Sequence, residues 1–438
     1  MGRNLSRQSF FILLLTMFLT VAGFGIVLPV LPYFARELGA SSLEMGLMVS
    51  LYALAQFVFA PVWGALSDRI GRKPVLILGM TGFALSFGAM AFVHSVTGLI
   101  LARFLGGMLS ASTFPAAQAL VADLTPPEQR AGALALMGGS SNLGFMLGPL
   151  LGIPLTGLGY GFRTLALTAA VAILLTAVLA LLVLPASRPG GGAGGRRLPL
   201  PQALQLAVAS PESACYWLVL VGALAGSSIF SMLGYYLMER MGAPESANQL
   251  AFSVMGISSA LVQFTVVGPA IGRWGEARTA SAGLGAGVGA FLLLVAATRT
   301  WQVVVAVAVW GVALALFRPP LTSLVSRRTA LGQGTALGIQ ASFESMGRMA
   351  GPLLAGSLFD LHPLAPYSLV AVLLAVALAA ARYTLPRLEE VPSPAPGGAG
   401  DGHGETAVPE EDATPPGNPA GEPAGTAAPT GPQPRWRR

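Results

Sequence analysis

Polar positions along this chain fall in short clusters, and the stretches between them are apolar for far longer than a soluble helix needs. Twelve such stretches stand out, at about 10–33, 45–66, 74–93, 98–122, 132–156, 163–184, 214–237, 248–270, 279–298, 301–325, 335–358 and 366–385. A run of about 20 apolar residues is the length at which an α-helix crosses a bilayer. The pattern therefore predicts an all-α membrane protein with twelve transmembrane helices. The sixth and seventh are separated by LPASRPGGGAGGRRLPLPQ, whose glycines and prolines predict a flexible linker. The expected organisation is a first six-helix half at 1–185, a cytoplasmic linker at 186–210 and a second half at 211–386. From Arg387 to the end large apolar residues almost vanish in favour of Pro, Gly, Ala, Glu and Thr, so 387–438 is expected to be a disordered cytoplasmic tail.

Composition agrees: 54% of residues are hydrophobic, 10% are charged and the mean hydropathy is +0.68, which excludes an ordinary soluble domain. The first stretch follows Arg3 and Arg7 as a secretory leader would, but it is too long and eleven more spans follow it. The single Cys215 allows no intramolecular disulfide, and no Cys/His grouping suggests a metal or a cofactor. A pI near 9.9 raises nucleic acid as a partner, yet the basic residues are scattered between spans rather than gathered on one face. Their placement follows the positive-inside rule instead. With both termini cytoplasmic, fifteen basic residues of the helical core fall inside and only Arg36, Arg163, Arg240 and Arg299 outside. Lys73 is the one lysine among 25 basic residues, a bias that suggests a GC-rich bacterial genome and hence an inner membrane.

The halves resemble each other. GALSDRIGRK, starting at Gly64, has a degraded copy in GPAIGRWGEAR, starting at Gly268, and 268 − 64, 273 − 69 and 275 − 71 are all 204. The copy has Gly272 where Asp68 stands. GFMLGPLLG at Gly144 recurs as GRMAGPLLAG at Gly347, with 351 − 148 and 352 − 149 both 203. Each half is thus expected to be a six-helix repeat, with a substrate site where the two meet.

These motifs carry a family likeness. Twelve spans in two related halves, G-x-x-x-D-R-x-G-R-K after span two and G-x-x-x-G-P-x-x-G in span five resemble the major facilitator superfamily. Within it the chain looks most like the drug/proton antiporters of the tetracycline-efflux type, through FGIVLPVLP, LYALAQFVFAPVWGALSDRIGRKPVL and QASFESMGRMAGP. The resemblance implies that Gly64, Asp68, Arg69, Gly71, Arg72, Lys73 and Asp123 form a latch between the halves on the cytoplasmic side. It also implies that Gly144, Gly148, Pro149 and Gly152 mark an antiporter, with Gly347, Gly351 and Pro352 as their second-half echo, and that Arg103 takes part in proton coupling. The bland account of the first motif is a topology anchor with a reverse turn. The glycines of span five recur every fourth residue, so they share one face for close helix packing, and Pro149 removes a backbone bond. Two departures from the relatives matter: Thr20 and Ser86 stand where acids are usual, and Gly106 where a glutamine is usual.

Deep charges are costly in a membrane, about 2.5–3.5 kcal/mol each on insertion scales, and mark functional or paired sites. Only Arg103, Arg318, Glu344 and Arg348 stand out. Glu344 lies about 14 Å along its helix from Thr335, near the midplane, and is the one acid well inside. Three readings stay open: a proton carrier, a permanent i, i+4 pair with Arg348, and a direct contact for a cationic substrate. The cavity is expected to present Gln56, Asn142, Tyr235, Tyr236, Gln263, Arg318 and Gln340, although each polar or aromatic residue taken alone is better explained as an interhelical hydrogen-bonder or an interface aromatic than as a ligand, Tyr235 and Tyr236 lying near the outer end of span seven. GLGAGVGA at Gly283 superficially resembles a nucleotide loop but lies inside span nine, where small-residue packing explains it.

The expected protein is not an enzyme. It is a monomeric secondary transporter that takes protons and a small molecule across a lipid bilayer and exports drug-like or hydrophobic compounds. The alternatives are a metabolite importer or facilitator of the same fold, and a non-transporting membrane sensor.

Overall fold

A computed structural model of the chain describes residues 7–185, 212–329 and 333–390, together with residues 205 and 210. Most of the linker expected at 186–210 and the stretch 391–438 lie outside the described residues.

Every regular element among the described residues is a helix. Span one is Arg7–Val27, ended by Pro29 and continued by the short helix Leu31–Glu37. Spans two and three are Ser42–Ile70 and Arg72–Ala91, joined at Gly71. Span four is broken into Val96–Ser110 and Thr113–Leu124, which the hydrophobic pattern alone did not predict. The break has a local cause: Pro115 has no N–H to give to the Ala111 carbonyl. Spans five and six are Pro127–Gly157 and Phe162–Val183. The second half follows with Ser213–Met241, Glu245–Thr265, Val267–Ala296, Thr300–Arg328, Gln333–Phe359 and Ala365–Glu390 as spans seven to twelve.

Ten of these spans are long and apolar enough by composition to cross a membrane. The other two, eight and eleven, are more polar, with Asn248, Gln249 and Gln263 in one and Glu344 and Arg348 in the other. Large apolar side chains face outward elsewhere: Leu85, Leu175, Leu182 and Val376 are each more than 60% exposed, which is stable only against lipid. The chain is a multi-pass membrane protein.

The halves use the same packing plan. Span one packs on five and six as span seven packs on eleven and twelve; two packs on four as eight packs on ten; three packs on six as nine packs on twelve. Between the halves, span two lies on span eleven and span five on span eight. The last span runs to Glu390, so 387–390 is helix rather than the start of a disordered tail. Leu388 is buried there, and the Ala277 N–H, just after the break at Gly275 in Val267–Ala296, donates to the Glu389 carboxylate at 2.7 Å.

Candidate functional site

The glycines of spans five and eleven make the close approaches that their spacing predicts. A Cβ at Gly144 would strike the Phe18 carbonyl of span one, and one at Gly148 the Ala22 carbonyl. Their echoes Gly347 and Gly351 meet Leu220 and Leu224 of span seven in the same way. Gly152 instead faces Gln249 of span eight, whose carboxamide oxygen accepts from Thr156 across the halves at 2.9 Å.

The hydrogen bonds joining the halves gather at one end of the bundle. Tyr33 donates to the Pro244 carbonyl at 3.2 Å, Asn248 to Pro29 at 2.7 Å and Tyr235 to Ala40 at 3.0 Å, while Arg36 pairs with Glu239 at 2.5 Å. Two titratable groups respond to this closure, one on the short helix Leu31–Glu37 and one at the first residue of the helix Glu245–Thr265. Burial raises the Tyr33 phenol above its ordinary range. Burial, then the Glu37 carboxylate from the other half, raises the Glu245 carboxyl.

Below the closed end the halves separate around a cavity of about 2540 Å³ that reaches Pro61, Ser326 and Thr335 near the opposite end. Gln56, Asn142, Gln263, Arg103, Arg318, Glu344 and Arg348 line it, as does Thr20. Three expected lining residues do not. Tyr235 and Tyr236 are fully buried and bond the Ala40 and Leu294 carbonyls at the closed end, because their positions near the end of span seven put them above the cavity. Gln340 is 7% exposed and donates to Thr322 at 2.7 Å, held between spans ten and eleven.

Glu344 is the only carboxylate among the lining residues. Its nearest partner is Arg318 of span ten, a hydrogen-bonded pair; Arg348, the partner suggested by the i, i+4 spacing, is 3.8 Å away. One Glu344 oxygen is thus shared by two guanidinium groups from two helices. In the first half Arg103 lies over the Tyr52 ring at 4.5 Å, and Tyr52 joins Ser110 and Gln56 in a small polar cluster. Tyr52 escaped the sequence reading; its one signal is its place one turn before Gln56. The absent glutamine at Gly106 is explained by space, since a Cβ there would strike the Ser86 hydroxyl and approach Tyr52.

At the open end Arg72 joins Asp68 at 2.5 Å and Asp123 at 3.2 Å, while Lys73 donates to the Leu184 carbonyl at 2.5 Å. Gly71 has φ 98° and ψ 162°, a conformation nearly closed to other residues. Gly275, its equivalent, has φ 81° and ψ 170°. The second copy of the motif therefore keeps the backbone turn, and although Gly272 and Ala277 have lost the charges of Asp68 and Lys73, one charge pair is inverted rather than lost. Glu276 stands at the place of Arg72 and Arg327 at the place of Asp123, with 276 − 72 and 327 − 123 both 204. These two pair at 3.8 Å, and Ser323 donates to Glu276 at 2.5 Å. Glu276 and Arg327 were missed because a charge reversal reads as decay when each residue is compared singly.

Comparison with known proteins places this geometry. The model of the Major Facilitator Superfamily matches residues 13–237 and 215–434. The quinolone resistance protein NorA of Staphylococcus aureus is 29% identical over 370 residues, spanning 84% of this chain and 95% of that protein. The class C tetracycline resistance protein of Escherichia coli is 31% identical over 380 residues, spanning 81% of this chain and 90% of that protein. Among solved structures, the nucleoside transporter NupG superposes with a TM-score of 0.69 at 15% identity, covering 88% of this chain and all of that one. Two matched halves, their shared packing plan and the cavity between them are those of one fold, and this chain belongs to the Major Facilitator Superfamily of secondary transporters.

Proposed function

We propose that the protein works by alternating access as a monomer in a bacterial inner membrane and exports drug-like or hydrophobic compounds in exchange for protons. The observation that carries the reading is Glu344, the one carboxylate lining a large cavity that is otherwise mainly apolar. A carboxylate holds a proton weakly while arginines pair with it and more strongly once they leave. If the helices bearing Arg318 and Glu344 part as the halves rock, proton uptake becomes tied to conformation. Resistance to quinolones and to tetracycline, named for two relatives, supports export.

In this reading the closed end faces outward and the open end faces the cytoplasm, in keeping with fifteen basic residues against four. The Asp68–Arg72–Asp123 cluster then latches the halves when the inner side closes. The two six-helix halves move as bodies joined by the linker 186–210. The test is transport of a fluorescent quinolone, which carries a carboxylate on an aromatic body, in proteoliposomes. Accumulation against its gradient is expected only with an imposed pH gradient, and Glu344→Gln is expected to abolish the coupled component. Coupled transport unchanged in Glu344→Gln removes Glu344 as the proton carrier.

A second reading, an importer or facilitator whose substrate contacts Glu344 and Arg348, is favoured by the additional arginines in the same cavity. Flux that follows the substrate's own gradient, whatever the pH gradient, selects it.

A further inference from the structure

The cavity carries more positive charge than its walls neutralise. Arg103, Arg318, Arg327 and Arg348 line it, against one lining carboxylate, Glu344. Glu276 lies behind the wall, 8% exposed, and takes Arg327. Glu344 is divided between Arg318 and Arg348, whose side chains remain 55% and 53% exposed. Arg103 is 2% exposed, stacks on Tyr52, and has no hydrogen bond or ion pair among the described residues; its Nε lacks a partner. Four guanidinium groups against two carboxylates leave two positive charges unbalanced at membrane depth, where an unpaired charge is most costly.

We propose that the cavity selects amphipathic anions. The carboxylate, sulfonate or phosphate group of the substrate sits on Arg318 and Arg348, whose forks match such groups, and its apolar body lies on the aromatic lining that includes Phe24, Phe145, Phe230 and Phe317. This names the substrate class of the transport reading and rests on it, but not on proton coupling.

Two probes with the same ring and opposite charge test this: 1-naphthylacetate and 1-naphthylmethylammonium, titrated calorimetrically into the full chain in lipid nanodiscs without any gradient. The anion is expected to bind at least tenfold more tightly than the cation at pH 7.5. Arg318→Gln and Arg348→Gln should each weaken the anion about tenfold while leaving the cation unweakened, and Arg348→Lys should keep the preference, which controls for folding. Cation binding as tight as the anion's, absence of saturable anion binding, or anion affinity unmoved by both substitutions overturns the proposal. Because binding is read without a gradient, the anion preference stands or falls separately from proton-driven export.

Discussion

The closed end of the bundle depends on a backbone approach that can be perturbed by one methyl group. A Cβ at Gly46 in span two would strike the Pro352 carbonyl oxygen of span eleven and lie 3.1 Å from its carbon; one at Gly356 would strike the Ser42 carbonyl and lie 3.1 Å from the Leu43 Cα. Both partners are backbone, so no side chain can swing aside. Overpacking of this kind costs about 1–3 kcal/mol. The contact joins the two halves, so the cost falls on the conformation with this end closed and is relieved when the end opens. An energy difference of that size shifts a two-state equilibrium roughly 5- to 150-fold. Spin labels at Leu158 and Leu361, 74% and 78% exposed on opposite halves, in a Cys215→Ser background would report the separation by pulsed electron resonance. Gly46→Ala and Gly356→Ala are each expected to raise a longer-distance population. Gly289→Ala, where a Cβ meets nothing within 4 Å, should leave the distances unchanged. Wild-type distances in both inter-half variants would refute the argument that this backbone contact sets the closed state.

Three further outcomes follow from the same geometry. Arg327→Glu places an acid beside Glu276; because Arg327 is 70% exposed the pair is worth only about 0–1 kcal/mol, and adding Glu276→Arg should recover the loss in transport rate or melting temperature. Glu245, in the first turn of its helix and ahead of the apolar run that begins at about 248, has a carboxyl raised by burial and by Glu37, so closure is favoured while it is protonated. That contribution is present below the ordinary carboxylate range and is lost as pH rises through the raised value. The long-distance population should therefore grow on alkalinisation, and Glu245→Gln should flatten the response. Glu389→Gln weakens the cap on the Ala277 N–H, at about 0.5–2 kcal/mol. Thermal unfolding followed by a thiol-reactive dye reads that loss, since Cys215 is fully buried until the fold opens.

The hydrophobic pattern was enough to place twelve helices, because a bilayer admits no unpaired backbone and so makes span position a local property of about 20 residues. Two repeated motifs, at offsets of 203 and 204, were enough for the two-half plan, since glycine and proline positions are imposed by backbone geometry that a repeat keeps. Glu344 could be singled out the same way, as a lone acid in an apolar helix. Its partner could not: the helical spacing points to Arg348, whereas packing of spans ten and eleven brings in Arg318 from 26 residues away. Tyr235, Tyr236 and Gln340 look like cavity residues by composition, but depth along a span and the facing neighbour decide whether a side chain meets the cavity or a carbonyl. The inverted Glu276–Arg327 pair became visible only where helices 51 residues apart in sequence meet at one corner. Local solvent preference and backbone constraint were written in the sequence; the pairing of charges was settled by tertiary packing, because it depends on which helix faces are brought together.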